Sequence, residues 1–170
     1  HESLSHVHSD NTGGAAAAVR HLLARGRRTI TTIAGPQDMD VGRRRLQGWR
    51  EALAEAGREH TGPLMSVADF TEEGGERAMH RLLDEVPGLD AVFVASDVMA
   101  AGALMECRRQ GRRVPEDVAV VGFDDSIIAR HTNPPLTSVR QPVEEIGETI
   151  ARVLLEEIAD PDAPRRHVVL

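Results

Sequence analysis

The sequence predicts an α/β fold: a parallel sheet with helices on both faces. Three observations predict it: four short apolar or β-branched runs, a helical apolar stripe before each run, and a glycine between stripe and run. Val19, Leu22 and Leu23 sit at helical spacing before Gly26, and residues 29–34 (TITTIA) follow as a buried strand. Leu46, Trp49 and Leu53 precede Gly57, with a strand at 64–68. Ala78, Met79, Leu82, Leu83 and Val86 precede Gly88, with a strand at 91–95 (AVFVA). Ala101, Leu104 and Met105 precede Gly111, with a strand at 118–123 (VAVVGF). A single such run could be a buried helix fragment, but four in the same order favour strands.

The last third leaves this rhythm. Pro134-Pro135 suits neither a helix interior nor a central strand, so 126–142 reads as a crossing segment. A final helix spans about 143–158, with Ile146, Ile150, Val153 and Leu154 on one stripe. Pro142 suits its first position, and Glu144 and Glu145 suit its positive end. Residues 160–164 read as a loop and 167–170 as a strand. The run TGGAAAA at 12–18 is a small-residue helix start. It lacks the G-x-G-x-x-G spacing of a phosphate loop.

Composition narrows the function classes. The 170 residues are 41% hydrophobic, enough for one sizeable core. All 20 basic residues are arginine; against 27 acidic ones they leave a net charge of −7. That balance argues against this segment itself gripping nucleic acid. The single Cys107 excludes an internal disulfide framework and a cysteine zinc site, and reads as a small residue on a helix. No apolar run reaches transmembrane length and residues 1–14 lack a signal-peptide core, so the expectation is a soluble, cytoplasmic chain with no membrane partner.

Ligands of open α/β sheets bind outside the carboxyl ends of the strands. That rule collects Gly35-Pro36 and the loop 37–40, Asp69 and Phe70, Ser96 and Asp97, and Asp124 and Asp125, with Arg45 in reach on the helix after the first strand. Carboxylates and arginine make paired hydrogen bonds to hydroxyls, and an aromatic covers the apolar face of a ring. The set suits a small polyhydroxylated or heterocyclic ligand. Each residue also has a plainer role: Phe70 in the core, Arg45 as one of three solvated arginines, Ser96 or Asp97 as a helix cap, Asp124 and Asp125 as a turn or a catalytic or Mg²⁺ pair. No Ser-His-Asp or Cys-His order accompanies the carboxylates, so no enzyme is expected. His6 and His8 share a strand face near His1; a metal could sit there, but the reading is surface histidines, with no metal and no cofactor.

Several segments, in order, resemble the effector-binding core of the lactose-repressor/galactose-repressor (LacI/GalR) transcription factors. They are His8-Ser9-Asp10-Asn11, residues 19–26 (VRHLLARG), 33–36 (IAGP), 45–49 (RLQGW), 69–75 (DFTEEGG), 95–102 (ASDVMAAG), 114–118 (VPEDV), 121–125 (VGFDD) and 134–142 (PPLTSVRQP). The pairing of GFDD with PPLTSVRQP separates these repressors from periplasmic sugar-binding relatives. The resemblance implies a Rossmann-like subdomain of a type I periplasmic-binding-protein-like core, two subdomains joined by crossing strands, and an effector in the cleft. In that frame residues 1–9 are the last strand of a largely absent N-terminal subdomain. Residues 10–139 are the C-terminal effector-binding subdomain. Residues 140–170 hold the crossing segment, the returning helix and the final strand, and the helix-turn-helix head is absent.

The resemblance assigns effector contacts to Arg45, Phe70, Ser96, Asp97, Asp124 and Gln141. Ser96 stands where many members have Asn. Met39 stands where purine-type members carry a second arginine, which favours a sugar or sugar derivative. It further implies operator DNA as a partner through the absent head, and a homodimer through helices near 74–86 and 98–110. A transporter's periplasmic sugar receptor and a flavodoxin-like enzyme using Asp124 and Asp125 are the other readings.

Overall fold

The structure is a computed structural model, described over residues 4–58, 62–160 and 163–170. His1, Pro161 and Asp162 of the readings above lie outside the described residues. The elements run β1 (His6–His8), α1 (Asn11–Ala24), β2 (Ile30–Ala34), α2 (Asp40–Glu55), β3 (Met65–Val67), α3 (Glu72–Glu85), β4 (Ala91–Val94), α4 (Asp97–Arg109), β5 (Ala119–Asp124), α5 (Ile127–His131), β6 (Thr137–Arg140), α6 (Val143–Ala159) and β7 (His167–Val169). They form two compact units, residues 11–140 and residues 1–10 with 141–170.

The larger unit is a five-stranded parallel sheet in the order β3-β2-β4-β5-β6. The apolar runs become its central strands: every residue of β2 and of β4 is buried. Strand order reverses between β2 and β4, the switch point where an open sheet leaves a crevice at its carboxyl edge. Gly122 faces α4 and Phe123 faces α1, so neighbouring residues of β5 point to helices on opposite faces. Phe93, Phe123 and Trp49 lie in the core, which leaves Phe70 as the aromatic at the rim.

Helices end where glycine takes the left-handed region. Gly26 has φ 81°, and the next residue's N–H reaches back to Leu22 O; Gly57 has φ 63°, and Arg58 N–H reaches Leu53 O. These bonds satisfy carbonyls the helix would otherwise leave open. Two differences from the sequence reading concern the crossing segment. A short helix, α5, occupies 127–131, and Thr137–Arg140 joins the sheet as its edge strand against β5. An edge position tolerates the prolines just before it, because only one side of the strand must supply ladder hydrogen bonds.

The helices pack as pairs, α1 with α2 and α3 with α4. Both pairs meet through glycine. A Cβ at Gly48 of α2 would lie 2.2 Å from Thr12 O of α1, and one at Gly102 of α4 would lie 1.9 Å from Glu72 O of α3. Across α3 and α4, the fully buried Glu106 carboxylate meets His80 Nδ1 at 2.8 Å and Arg109 Nη2 at 2.7 Å.

The smaller unit is a two-stranded parallel sheet, β1 with β7, and helix α6. Ile150, Val153 and Leu154 line an opening of about 150 Å³ with Ser5, His6 and Val7. Val153 is buried, while Ile150, Leu154, Leu155 and Ile158 are exposed. The rings of His6 and His8 stack, as do those of His6 and His167. No group of three or more potential ligands that could hold a metal occurs among the described residues. No helix there is long and apolar enough to cross a membrane.

Two outcomes follow from this packing. Gly102→Ala lowers the urea midpoint of unfolding by an amount equivalent to about 1–3 kcal/mol, because α3 and α4 must move apart. Cys107 is fully buried, and burial, with Glu106 adjacent, pushes its thiol up to about 12. It stays unreactive toward an aromatic disulfide reagent at neutral pH and titrates on addition of denaturant.

Candidate functional site

Arg45 anchors the carboxyl rim of the sheet. It is the sixth residue of α2, on the face that also buries Leu46 and Trp49, and it is only 3% exposed. Its Nε donates to Asn11 Oδ1 at 2.8 Å. Its Nη1 donates to Ala95 O at 2.6 Å and to Asp124 Oδ1 at 3.1 Å. The guanidinium carbon stands 3.7 Å from the centroid of the Phe123 ring, a cation–π contact. Burial pulls the guanidinium below its ordinary value, and the Asp124 carboxylate opposes that pull. Nη2 has no hydrogen-bond partner among the described residues. A guanidinium has five N–H donors, so this nitrogen presents an unused pair.

The strained backbone lies on the same rim. Phe70 (φ 64°), Asp124 (φ 120°) and Asp125 (φ 52°) are non-glycine residues with positive φ, and all three follow or end a strand. Such conformations persist only where neighbours enforce them. At Phe70 the enforcing contacts are local. Asp69 Oδ1 accepts from Thr71 N at 3.2 Å and from Thr71 Oγ1 at 2.6 Å, which closes a turn around Phe70 and holds the Asp69 carboxyl below its ordinary range. Thr71 Oγ1 in turn caps α3 by accepting from Gly74 N. The half-buried Phe70 ring lies over Gly35, where a Cβ would come within 2.3 Å of Cζ.

At Asp124 and Asp125 the constraint comes from Asp97. Its carboxylate is fully buried; Oδ2 accepts from Ser126 N at 2.7 Å and Oδ1 from Ser138 Oγ at 2.6 Å. Ser138 Oγ also accepts from Asp125 N at 3.0 Å. Asp97 therefore ties the end of β4 to the turn after β5 and to β6. Both its oxygens accept from groups of the protein itself, which makes Asp97 a brace of the rim. Ser96 is 5% exposed and caps α4 by accepting from Met99 N at 3.2 Å, the cap role open to it from the sequence.

The structure thus brings Arg45 and Asp124 into direct contact and sets Phe70 on the same rim. Gln141 belongs to the smaller unit, where its Oε1 accepts from Ser9 Oγ at 2.9 Å. Sequence reasoning missed Asn11 and Phe123 as partners of Arg45. Asn11 stands in the sequence only as the end of the resembling segment His8-Ser9-Asp10-Asn11, and Phe123 reads as an ordinary strand residue. Their signal was only the proximity of each to a strand end. The acid pair Asp124 and Asp125 is not symmetric: Asp124 bonds Arg45, whereas Asp125 contributes its backbone N–H to the brace.

Residues 19–170 match the periplasmic-binding-protein-like domain. The chain belongs to that family. It is 54% identical over 157 residues to the HTH-type transcriptional regulator CelR of Thermobifida fusca, covering 92% of this chain and 46% of the relative. A solved transcriptional regulator CelR-cellobiose complex superposes with a TM-score of 0.96 at 51% identity, over 99% of this chain and 52% of that one. A regulatory protein of the LacI family from Chloroflexus aggregans superposes with a TM-score of 0.91 at 33% identity, over 99% of this chain and 60% of that one. The chain spans about half the length of the curated relatives it matches. The resemblance to LacI-type regulators expected from the sequence is shown by these relatives.

If Asp97 is a brace, Asp97→Ala destabilises the folded state by about 2–3 kcal/mol, since it leaves Ser126 N–H and Ser138 O–H without their acceptor. Urea unfolding monitored by circular dichroism measures the loss.

Proposed function

We propose that this chain is the effector-binding part of a LacI-type DNA-binding transcriptional regulator, and that its effector is a sugar of the cellobiose class. The observation that carries the reading is the unused Nη2 of a buried arginine, fixed beside the Asp124 carboxylate on the rim that also holds Phe70. Vicinal hydroxyls of a pyranose accept from a guanidinium and donate to a carboxylate, and the C–H face of the ring covers an aromatic. The matches to CelR, among them a solved complex with cellobiose, support the same class. They are regulators rather than transport receptors or enzymes, which favours this reading over both others.

In the same proposal, operator DNA is bound by a head outside these 170 residues, in keeping with the net charge of −7. The outer faces of α3 and α4 form a homodimer, where Met105 is half exposed. The effector acts by preferring one of two states of the regulator, and shifts DNA affinity only by its differential affinity for them.

The test is calorimetric titration of the intact protein with cellobiose, and with ribose and a purine base as alternatives. Cellobiose binds the wild type; Phe70→Ala weakens it up to about tenfold, and Asp124→Asn by about tenfold or more. Binding of ribose or the purine in place of cellobiose overturns the sugar class, and binding of none of them overturns the effector reading.

A further inference from the structure

We propose that Asn11 is a positioning residue of the effector site: it selects which nitrogen of Arg45 is presented to the ligand. The proposal rests on the reading of Arg45 as an effector contact. The guanidinium is planar with five donors in a fixed fork, so its orientation is set once two of its nitrogens are held. Ala95 O and Asp124 hold Nη1. Both bonds fall on one nitrogen, and rotation about the Cδ–Nε bond could still tilt the fork. Asn11 Oδ1 removes that freedom by accepting from Nε at 2.8 Å. The remaining pair of donors, on Nη2, is then the pair left for a ligand.

The geometry around Asn11 is built for a fixed separation. Asn11 is the first residue of α1 and is 8% exposed; Arg45 is 3% exposed on α2. The two helices meet at Gly48, one turn beyond Arg45, where a Cβ would fall 2.2 Å from Thr12 O and 2.9 Å from the Ala15 Cβ. The start of α1 is thereby seated on the same face of α2 that carries Arg45. From beneath, Gly14 allows the Phe123 ring to approach α1: a Cβ there would lie 3.0 Å from Phe123 Cε2. That ring underlies the guanidinium at 3.7 Å. An amide oxygen at residue 11, a ring at residue 123 and two backbone close approaches define a slot that a guanidinium fills in one orientation.

The experiment compares wild type, Asn11→Ala and Asn11→Asp in the intact protein. Three readouts are taken: cellobiose affinity by calorimetry, the thermal midpoint, and exchange protection of the Arg45 Nε–H in ¹⁵N spectra. Asn11→Ala loses a hydrogen bond to a charged donor and binds cellobiose about tenfold or more weakly. Its thermal midpoint falls by about 2–8 °C, because a buried charged N–H loses its acceptor, and the Nε–H loses protection. Asn11→Asp keeps an acceptor at the same place, so both affinity and protection return. Unchanged affinity in Asn11→Ala, or loss in both variants in proportion to lost stability, overturns the proposal. If the wild type binds no cellobiose, the sugar reading fails on its own. The Nε–H readout needs no ligand and still decides the role: protection retained in Asn11→Ala rejects it, and protection lost there but kept in Asn11→Asp supports it.

Discussion

A cation buried at the edge of a sheet is the constraint around which the larger unit is arranged. Removing a guanidinium from water is unfavourable by several kcal/mol unless its charge and its donors are met, by the general behaviour of buried ions. Arg45 meets that demand with one carboxylate, one amide oxygen, one backbone carbonyl and one aromatic face. Those four partners come from α1, the end of β4 and the end of β5. The arginine thus fastens α2 to the start of α1 and to the ends of β4 and β5.

The rim is held in shape by a second set of contacts made wholly within the protein. Asp97 braces the turn after β5, and Asp69 and Thr71 close the turn around Phe70. The three left-handed residues on the rim sit inside these two braces. Strain of about 1–3 kcal/mol at each such residue is sustained because the surroundings over-determine it. A rim prepared in this way has little side-chain freedom left to lose. Glycines serve the same end at Gly35, Gly48 and Gly102, where backbone or ring approaches to within what a methyl group would occupy.

The smaller unit has a different balance. Two paired strands offer one small face, and α6 buries Thr149 and Val153 while its remaining apolar residues stay open. Ties between its distant parts are largely polar: Ser9 with Gln141, Ser5 with Glu157, and Arg165 and Arg166 with Glu157 and Glu156. Exposed ion pairs contribute little each, so the larger unit holds the greater share of the folding free energy.

Much of this fold was legible in the sequence because each signal was local. A buried strand shows itself in a few consecutive apolar residues, a helix in its stripe, and a helix end in its glycine, so β2, β4, β5 and the first four helices fell where the pattern put them. The rim could be listed as well, since it needs only the strand ends. What local pattern could not carry was pairing across distance. The bond from Arg45 to Asn11 spans 34 residues and that from Arg45 to Asp124 spans 79. That Asp97 braces the rim depended on Ser126 and Ser138 arriving from elsewhere, and whether 137–140 crossed over or joined the sheet depended on an open edge of β5. The residue types and periodicities named the elements and the kinds of groups at the rim. Only the tertiary structure decided which of those groups satisfy one another, because a buried polar group takes its role from the partner that reaches it.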